Sequence, residues 1–369
     1  MLNRNTFAST AGRRPALRTA LVAATVISLA TLGLAGCSSN GGSGGDPDDI
    51  GVSLIVKTNS NPFFVAMQDG AKAAAEKSGV SLTLAAGKED GDEDTQIKAI
   101  EDAIARGDQG ILITPNGPGV LDAISKARDA GLYVIALDTA PDPSDAVDIT
   151  FATDNRQAGK LIGEWTAAQL NGEKATIAML DLFDDKIVSV DYNRDQGFLD
   201  GMGIDVADEN ANGDEASTGT YSGGDYEIVG NEATNGAEDG GLAAMETLLS
   251  KNSDINVVYT INEPAAYGAY QALQAAGKEK DVLIVSIDGG CAGVGQVKEG
   301  IIGATSQQYP VKMAELGVKA IVDLAKDGTK PAVTEGLDFF NTGVALVTDT
   351  PADGVESIST DDATSICWG

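Results

Sequence analysis

Apolar runs of strand length alternate with helical patterns along most of this chain. Residues 51–57 form the first such run, and Asn61 and Pro62 then supply an N-cap and a first helical proline. A helix to about residue 78 is the prediction. A second strand is read at 80–85, and a helix capped by Asp94 or Thr95 carries Ile97, Ile100 and Ile104 on one face. Further strands are predicted at 110–114, 132–137, 149–152, 175–180, 257–261, 283–287 and 302–306. Helices are expected at 121–130, 193–203, 236–249 and 311–325, with others opening near Asn155 and Glu263. Such alternation argues for an α/β chain with parallel sheets covered by helices on both faces. More strands appear than one compact sheet needs, so two similar lobes are expected.

The first 50 residues follow another pattern. Arg4, Arg13, Arg14 and Arg18 precede an almost wholly apolar stretch at 19–36, and residues 1–36 contain no acid. The run Leu34-Ala35-Gly36-Cys37 closes that stretch and resembles the lipobox of bacterial lipoproteins. The resemblance implies a signal peptide over 1–36 and a diacylglycerol on Cys37. A retained membrane helix is the alternative; Ser28, Thr31 and Gly33 interrupt it. Residues 37–49, rich in Ser, Gly and Asp, read as a flexible tether.

Cleavage before Cys37 leaves 333 residues, comfortable for two domains. It also leaves 21 of the 25 bases against all 55 acids. A surface this acidic repels phosphate backbones, which argues against nucleic-acid binding. The chain has no histidine, which removes Ser-His-Asp and Cys-His catalysis and histidine zinc sites. With Cys37 lipidated, Cys291 and Cys367 remain as an even pair in an oxidising compartment. A disulfide follows from that count, two buried thiols being the alternative.

The segment Lys57-Thr58-Asn59-Ser60-Asn61-Pro62-Phe63-Phe64 resembles the first strand–loop–helix of periplasmic sugar-binding proteins of the ribose-binding type. The resemblance continues in order through VIALDT (134–139), ATDN (152–155), NRDQGF (193–198), TINEPAAYGAY (260–270), VSIDGG (285–290) and TSQQYP (305–310). The stretches DYNRDQGF, TINEPAA, SIDGGC, ATSQQYP and the terminal CWG are most similar to fructose-binding members of these ABC importers. The resemblance implies the type I periplasmic binding protein fold, two Rossmann-like lobes joined by a three-strand hinge. One lobe would hold 50–153 plus 309–340, the other 154–308 plus 341–369. It implies a monomeric, non-enzymatic receptor, lipid-anchored on the extracytoplasmic face of the cell membrane. Its partners would be a monosaccharide, fructose first and ribose or another second, and a membrane permease. A receptor feeding a signalling system is the alternative.

A sugar is a ring of hydroxyls with C–H faces. Planar polar groups satisfy the hydroxyls and aromatic rings cover the faces. The resemblance carries polar contacts to Asn61, Asp138, Arg194, Asn262, Asp288 and Gln308, and stacking to Phe63 or Phe64. Lys57 stands where ribose binders have a small hydroxyl residue, as a specificity contact or as a strand-end lysine in solvent. Each of these has a plainer role open to it: Asp138 and Asp288 as turn residues, Asn262 as a helix cap, both phenylalanines as core. Thr139 and Gly236 depart from the ribose pattern, and Trp165 is read as packing beside the helix near Asn155, with compensation for the aromatic lost at 236 as the alternative. Paired carboxylates Asp138 and Asp288 also describe a secreted carbohydrate-active enzyme, the reading from another class.

Asp90, Asp92, Asp94 and Glu101 have calcium-loop spacing, but Thr95 occupies the glycine position, so these acids are expected at a helix N-terminus. Asp208, Asn210, Asn212 and Gly213 begin a second such loop, with Gly219 where a bidentate Glu is needed. No metal and no cofactor are expected.

Overall fold

The computed structural model describes residues 50–369. The expected signal segment, Cys37 and the tether lie outside them. Among the described residues no helix is long and apolar enough to cross a membrane.

The first lobe begins β1 (Gly51–Val56), α1 (Pro62–Ser78), β2 (Ser81–Ala86), α2 (Glu93–Arg106), β3 (Gly110–Ile113), α3 (Leu121–Asp129), β4 (Tyr133–Leu137) and β5 (Ile149–Ala152). The chain then crosses at 153–154 into α4 (Asn155–Leu170), β6 (Ala175–Asp181), α5 (Ser189–Met202), β7 (Thr218–Thr220) and β8 (Asp225–Ala233). The second lobe continues with α6 (Glu238–Lys251), β9 (Val257–Thr260), α7 (Glu263–Ala276), β10 (Leu283–Asp288), α8 (Cys291–Lys298) and β11 (Ala304–Gln307). A second crossing, 308–309, leads back to α9 (Pro310–Asp327), which packs on α1, and to β12 (Phe340–Asn341). A third, 342–344, returns to β13 (Ala345–Val347) and α10 (Thr360–Thr364) of the second lobe.

The first sheet runs β12-β5-β4-β3-β1-β2 and is parallel throughout. The second runs β13-β11-β10-β9-β6-β8-β7, parallel at its centre with antiparallel pairs at both edges. Central strands such as β4 (YVIAL) and β6 (ATIAMLD) are buried at every position, as strands covered on both faces must be.

Three details depart from the sequence reading. Asp92 caps α2, its carboxylate accepting from the Thr95 amide at 3.1 Å, so the helix opens earlier than Asp94. Helix α5 starts at Ser189 rather than 193, because Asp191 turns inward to accept from the Leu182 and Phe183 amides at 2.9 and 3.1 Å. The hairpin β7–β8 was not expected, since β7 is exposed throughout and most of β8 is only half-buried at a sheet edge.

Candidate functional site

The carboxyl ends of both sets of parallel strands face one pocket. It is lined by Lys57, Asn61, Phe63, Phe64, Asp90, Asp138, Leu182, Val190, Arg194, Ile261, Asn262, Asp288 and Gln308. All nine residues singled out from the sequence are among them. Each lies at or just past the end of a strand, or at the cap or in the first turns of a helix, where open α/β sheets place ligands.

The first lobe supplies Lys57 directly after β1 and Asn61 as the cap of α1, accepting from the Phe63 amide at 2.9 Å. Lys57 is 3% exposed, so the solvent-facing alternative does not hold. Phe63 and Phe64 meet edge to face at 5.3 Å; both line the pocket and both belong to the lobe's apolar core, so the two roles offered for them coexist. Asp138 follows β4 with φ 64°, a left-handed backbone that Asp tolerates better than most residues.

From the second lobe, Arg194 reaches across from α5. Its Nε donates to Asn155 Oδ1 at 2.8 Å and its Nη1 to the Ile261 carbonyl at 2.9 Å, while Nη2 stands 3.7 Å from Asp138 Oδ1. The last is an ion pair between lobes, too long for a hydrogen bond. Asn262 caps α7 and donates to the Gly236 carbonyl at 3.0 Å. Asp288 accepts from Gln308 Nε2 at 3.0 Å. Glu263, the next acid behind it, accepts from the amides of Gly289 and Gly290 at 2.8 and 3.1 Å and so fixes the loop that follows β10.

Sequence reasoning missed Asp90. It lies before the α2 cap, where a run of acids invites a helix-dipole explanation, yet its side chain lines the pocket with Oδ1 buried. Three acceptor oxygens there, Asp90 Oδ1, Asp138 Oδ1 and Gln308 Oε1, are buried without a hydrogen-bond donor among the described residues. Unpaired buried acceptors are costly. Three in one pocket describe a site built to receive several donors at once. Trp165 is elsewhere, on α4, with its indole nitrogen donating to the Thr350 carbonyl at 2.8 Å.

Burial raises three of the acids around this site, Asp288, Glu263 and Asp90. It raises Asp288 to about 7, an effect Arg194 opposes and Asp138 reinforces. It raises Glu263 to about 8, with Asp288 adding to the shift, and Asp90 to about 6 against the pull of Lys57. Between β6 and α5, burial also raises Asp181 to about 7, Asp191 to about 6 and Asp195 well above the usual range. All these shifts have one sign. Well below pH 4 the groups are protonated folded or unfolded and contribute nothing. As pH rises toward 7–8, the folded protein holds protons that the unfolded chain releases, so folding stability falls. The ligand-free protein is therefore expected to melt at a higher temperature at pH 5 than at pH 8. Asp195→Asn is expected to flatten that dependence, because it removes one of the buried charges beside Asp181. Thermal unfolding across pH checks both; a profile that rises with pH would contradict the assignment.

Residues 50–330 match the family described as the periplasmic binding protein domain. The ribose import binding protein RbsB of Salmonella typhimurium is 29% identical over 280 residues, 76% of this chain and 86% of its own. The D-ribose/D-allose-binding protein of Pseudomonas aeruginosa is 28% identical over 314 residues, 82% of this chain and 90% of its own. Among solved structures, an ABC transporter solute-binding protein from Agrobacterium vitis with bound D-fucose has a TM-score of 0.70 at 25% identity, covering 86% of this chain and 100% of that one.

Proposed function

The chain belongs to the periplasmic binding protein domain family, and from that premise we propose that it is the extracytoplasmic sugar-binding component of an ABC importer. The ligand is a monosaccharide held between the two lobes. D-Fructose is the first choice, on the motifs shared with fructose-binding members; D-ribose and D-allose come next, on the names of the relatives. Cys37 carries the lipid anchor, residues 38–49 hold the body off the membrane, and a permease receives the loaded form. The receptor acts as a monomer and performs no chemistry on its ligand, in keeping with relatives that are binding proteins.

The observation that carries this reading is the trio of donor-less oxygens on Asp90, Asp138 and Gln308 in one buried pocket. A sugar presents hydroxyl donors on several sides of a small ring, and its own oxygens accept from Arg194, Lys57 and the amides of Asn61 and Asn262. Phe63 and Phe64 offer aromatic surface to the C–H faces. Because the wall residues come from both lobes, a bound sugar bridges them and stabilises the closed arrangement selectively.

Isothermal titration calorimetry of unfolded-and-refolded protein against D-fructose, D-ribose, D-allose and D-galactose tests this. One of the panel is expected to bind tightly and to be recovered unchanged. No heat with any of them would overturn the sugar assignment.

A further inference from the structure

The chain ends with Cys367, Trp368 and Gly369. The disulfide Cys291–Cys367 fixes this end to the first residue of α8 in the second lobe, and the Cys291 amide donates to the Trp368 carbonyl at 2.8 Å. The Trp368 side chain then bridges the lobes: one edge of its ring lies against Gly290 of the lobe that anchors it, and the rest reaches the other. Its indole packs edge-on against Phe63 of the first lobe at 5.3 Å and joins that lobe's apolar core. Its Nε1 donates to the carbonyl of Gln308, in the second crossing, at 2.9 Å. Trp368 does not itself line the polar pocket, but Phe63 and Gln308 both do. It lines the wider cleft of about 1310 Å³ that shares Asn61, Asp90 and Asp288 with the pocket. This tail was expected to belong to the second lobe. It is attached there and packs against the other.

We infer that Trp368 is a positioning residue for the ligand pocket, setting the ring of Phe63 and the backbone of Gln308 while the disulfide sets Trp368. The inference rests on the sugar-binding reading above. A tail kept only for fold stability has no need to touch two pocket residues. A large rigid ring with one polar edge can do both at once, burying its face on an aromatic neighbour and satisfying a buried carbonyl. Because its base is on one lobe and its contact on the other, it also favours the arrangement in which the pocket is assembled.

The experiment compares native protein with Trp368→Ala, Trp368→Phe and the double variant Cys291→Ser/Cys367→Ser, using D-fructose and D-ribose as probes. Trp368→Ala is expected to weaken binding on the order of tenfold, the scale of one aromatic contact with its buried hydrogen bond. Trp368→Phe should recover part of the loss, and the cysteine variant should move the same way. If Trp368 acts through Phe63, adding Trp368→Ala to Phe63→Leu should cost less than it does alone. Should Trp368→Ala fold poorly, Trp165→Phe leaves Trp368 as the sole tryptophan, and its emission should shift when sugar is added. Native affinity retained by Trp368→Ala, strict additivity with Phe63→Leu, or an emission unmoved by a sugar that binds would each overturn the inference alone. Native protein that binds neither probe nor any other sugar of the panel would sink the sugar reading and this inference together.

Discussion

Replacing Asp138 and Asp288 together by alanine is expected to weaken monosaccharide binding by about a thousandfold, and either alone by roughly ten- to a hundredfold. Hydrogen bonds to charged groups contribute about 1.5–3 kcal/mol each, and roughly 1.4 kcal/mol is a tenfold change. The two acids come from opposite lobes and face the same guanidinium, Arg194 Nη2 being 3.7 Å from Asp138 Oδ1. Their loss removes acceptors for the ligand and leaves a buried cation less compensated. Asp288→Asn separates binding from folding. It keeps the shape, which matters at a backbone φ of 153°, and removes a charge that burial and Asp138 both disfavour. Its melting temperature near pH 8 should therefore be maintained or raised while sugar affinity falls, the exchange of stability for function found at binding sites. Calorimetry with the best ligand of the panel and thermal unfolding at the same pH measure the two arms. Unchanged affinity in the double alanine variant would put the pocket elsewhere.

Gly159→Val is expected to cost about 2–4 kcal/mol of folding stability, lowering the melting midpoint by roughly 5–15 °C. Helices α4 and α5 approach closely through Gly159 and Gly163 on one and Gly197 and Gly201 on the other. A Cβ on Gly159 would fall deep inside contact distance of the Arg194 carbonyl oxygen; one on Gly197 would do the same to Arg156, and one on Gly201 to Lys160. Backbone on the facing helix cannot step aside as a side-chain tip can. The helix displaced is the one that carries Arg194 into the pocket, so a variant that still folds should also bind sugar more weakly. Gly295→Ala is the control. It lies in α8 with nothing within 4 Å of the added carbon, and is expected to be neutral or slightly stabilising. Equal melting temperatures for the two variants would refute the close-packing account.

Much of the pocket was readable because its residues carry local signals. Asn61 stands before a proline at a helix start, Asn262 before another, and Asp138 and Asp288 end apolar runs. Capping and strand ends are decided within a few residues, so the one-dimensional pattern locates them and the ordered motifs gather them. Asp90 gave no such signal. It sits among Asp92, Glu93 and Asp94, and a run of acids at a helix start reads as a solvated face. Asn155, which receives Arg194 Nε, looked like an ordinary helix opening. The acids between β6 and α5 were equally silent, since Asp181, Asp191 and Asp195 come from a strand and a helix and meet only when these pack.

Sequence alone determined the alternation of strands and helices and the positions of the loops that meet at the pocket, and it offered Cys291 and Cys367 as a pair. These follow from periodicity, capping and residue counts, which act over short stretches of chain. Tertiary structure decided which acids turn inward, how closely α4 and α5 approach, and that Trp368, tied to one lobe, rests on Phe63 of the other. Burial and close packing depend on residues far apart in the chain, and no local pattern encodes what will lie opposite a side chain once the two lobes meet.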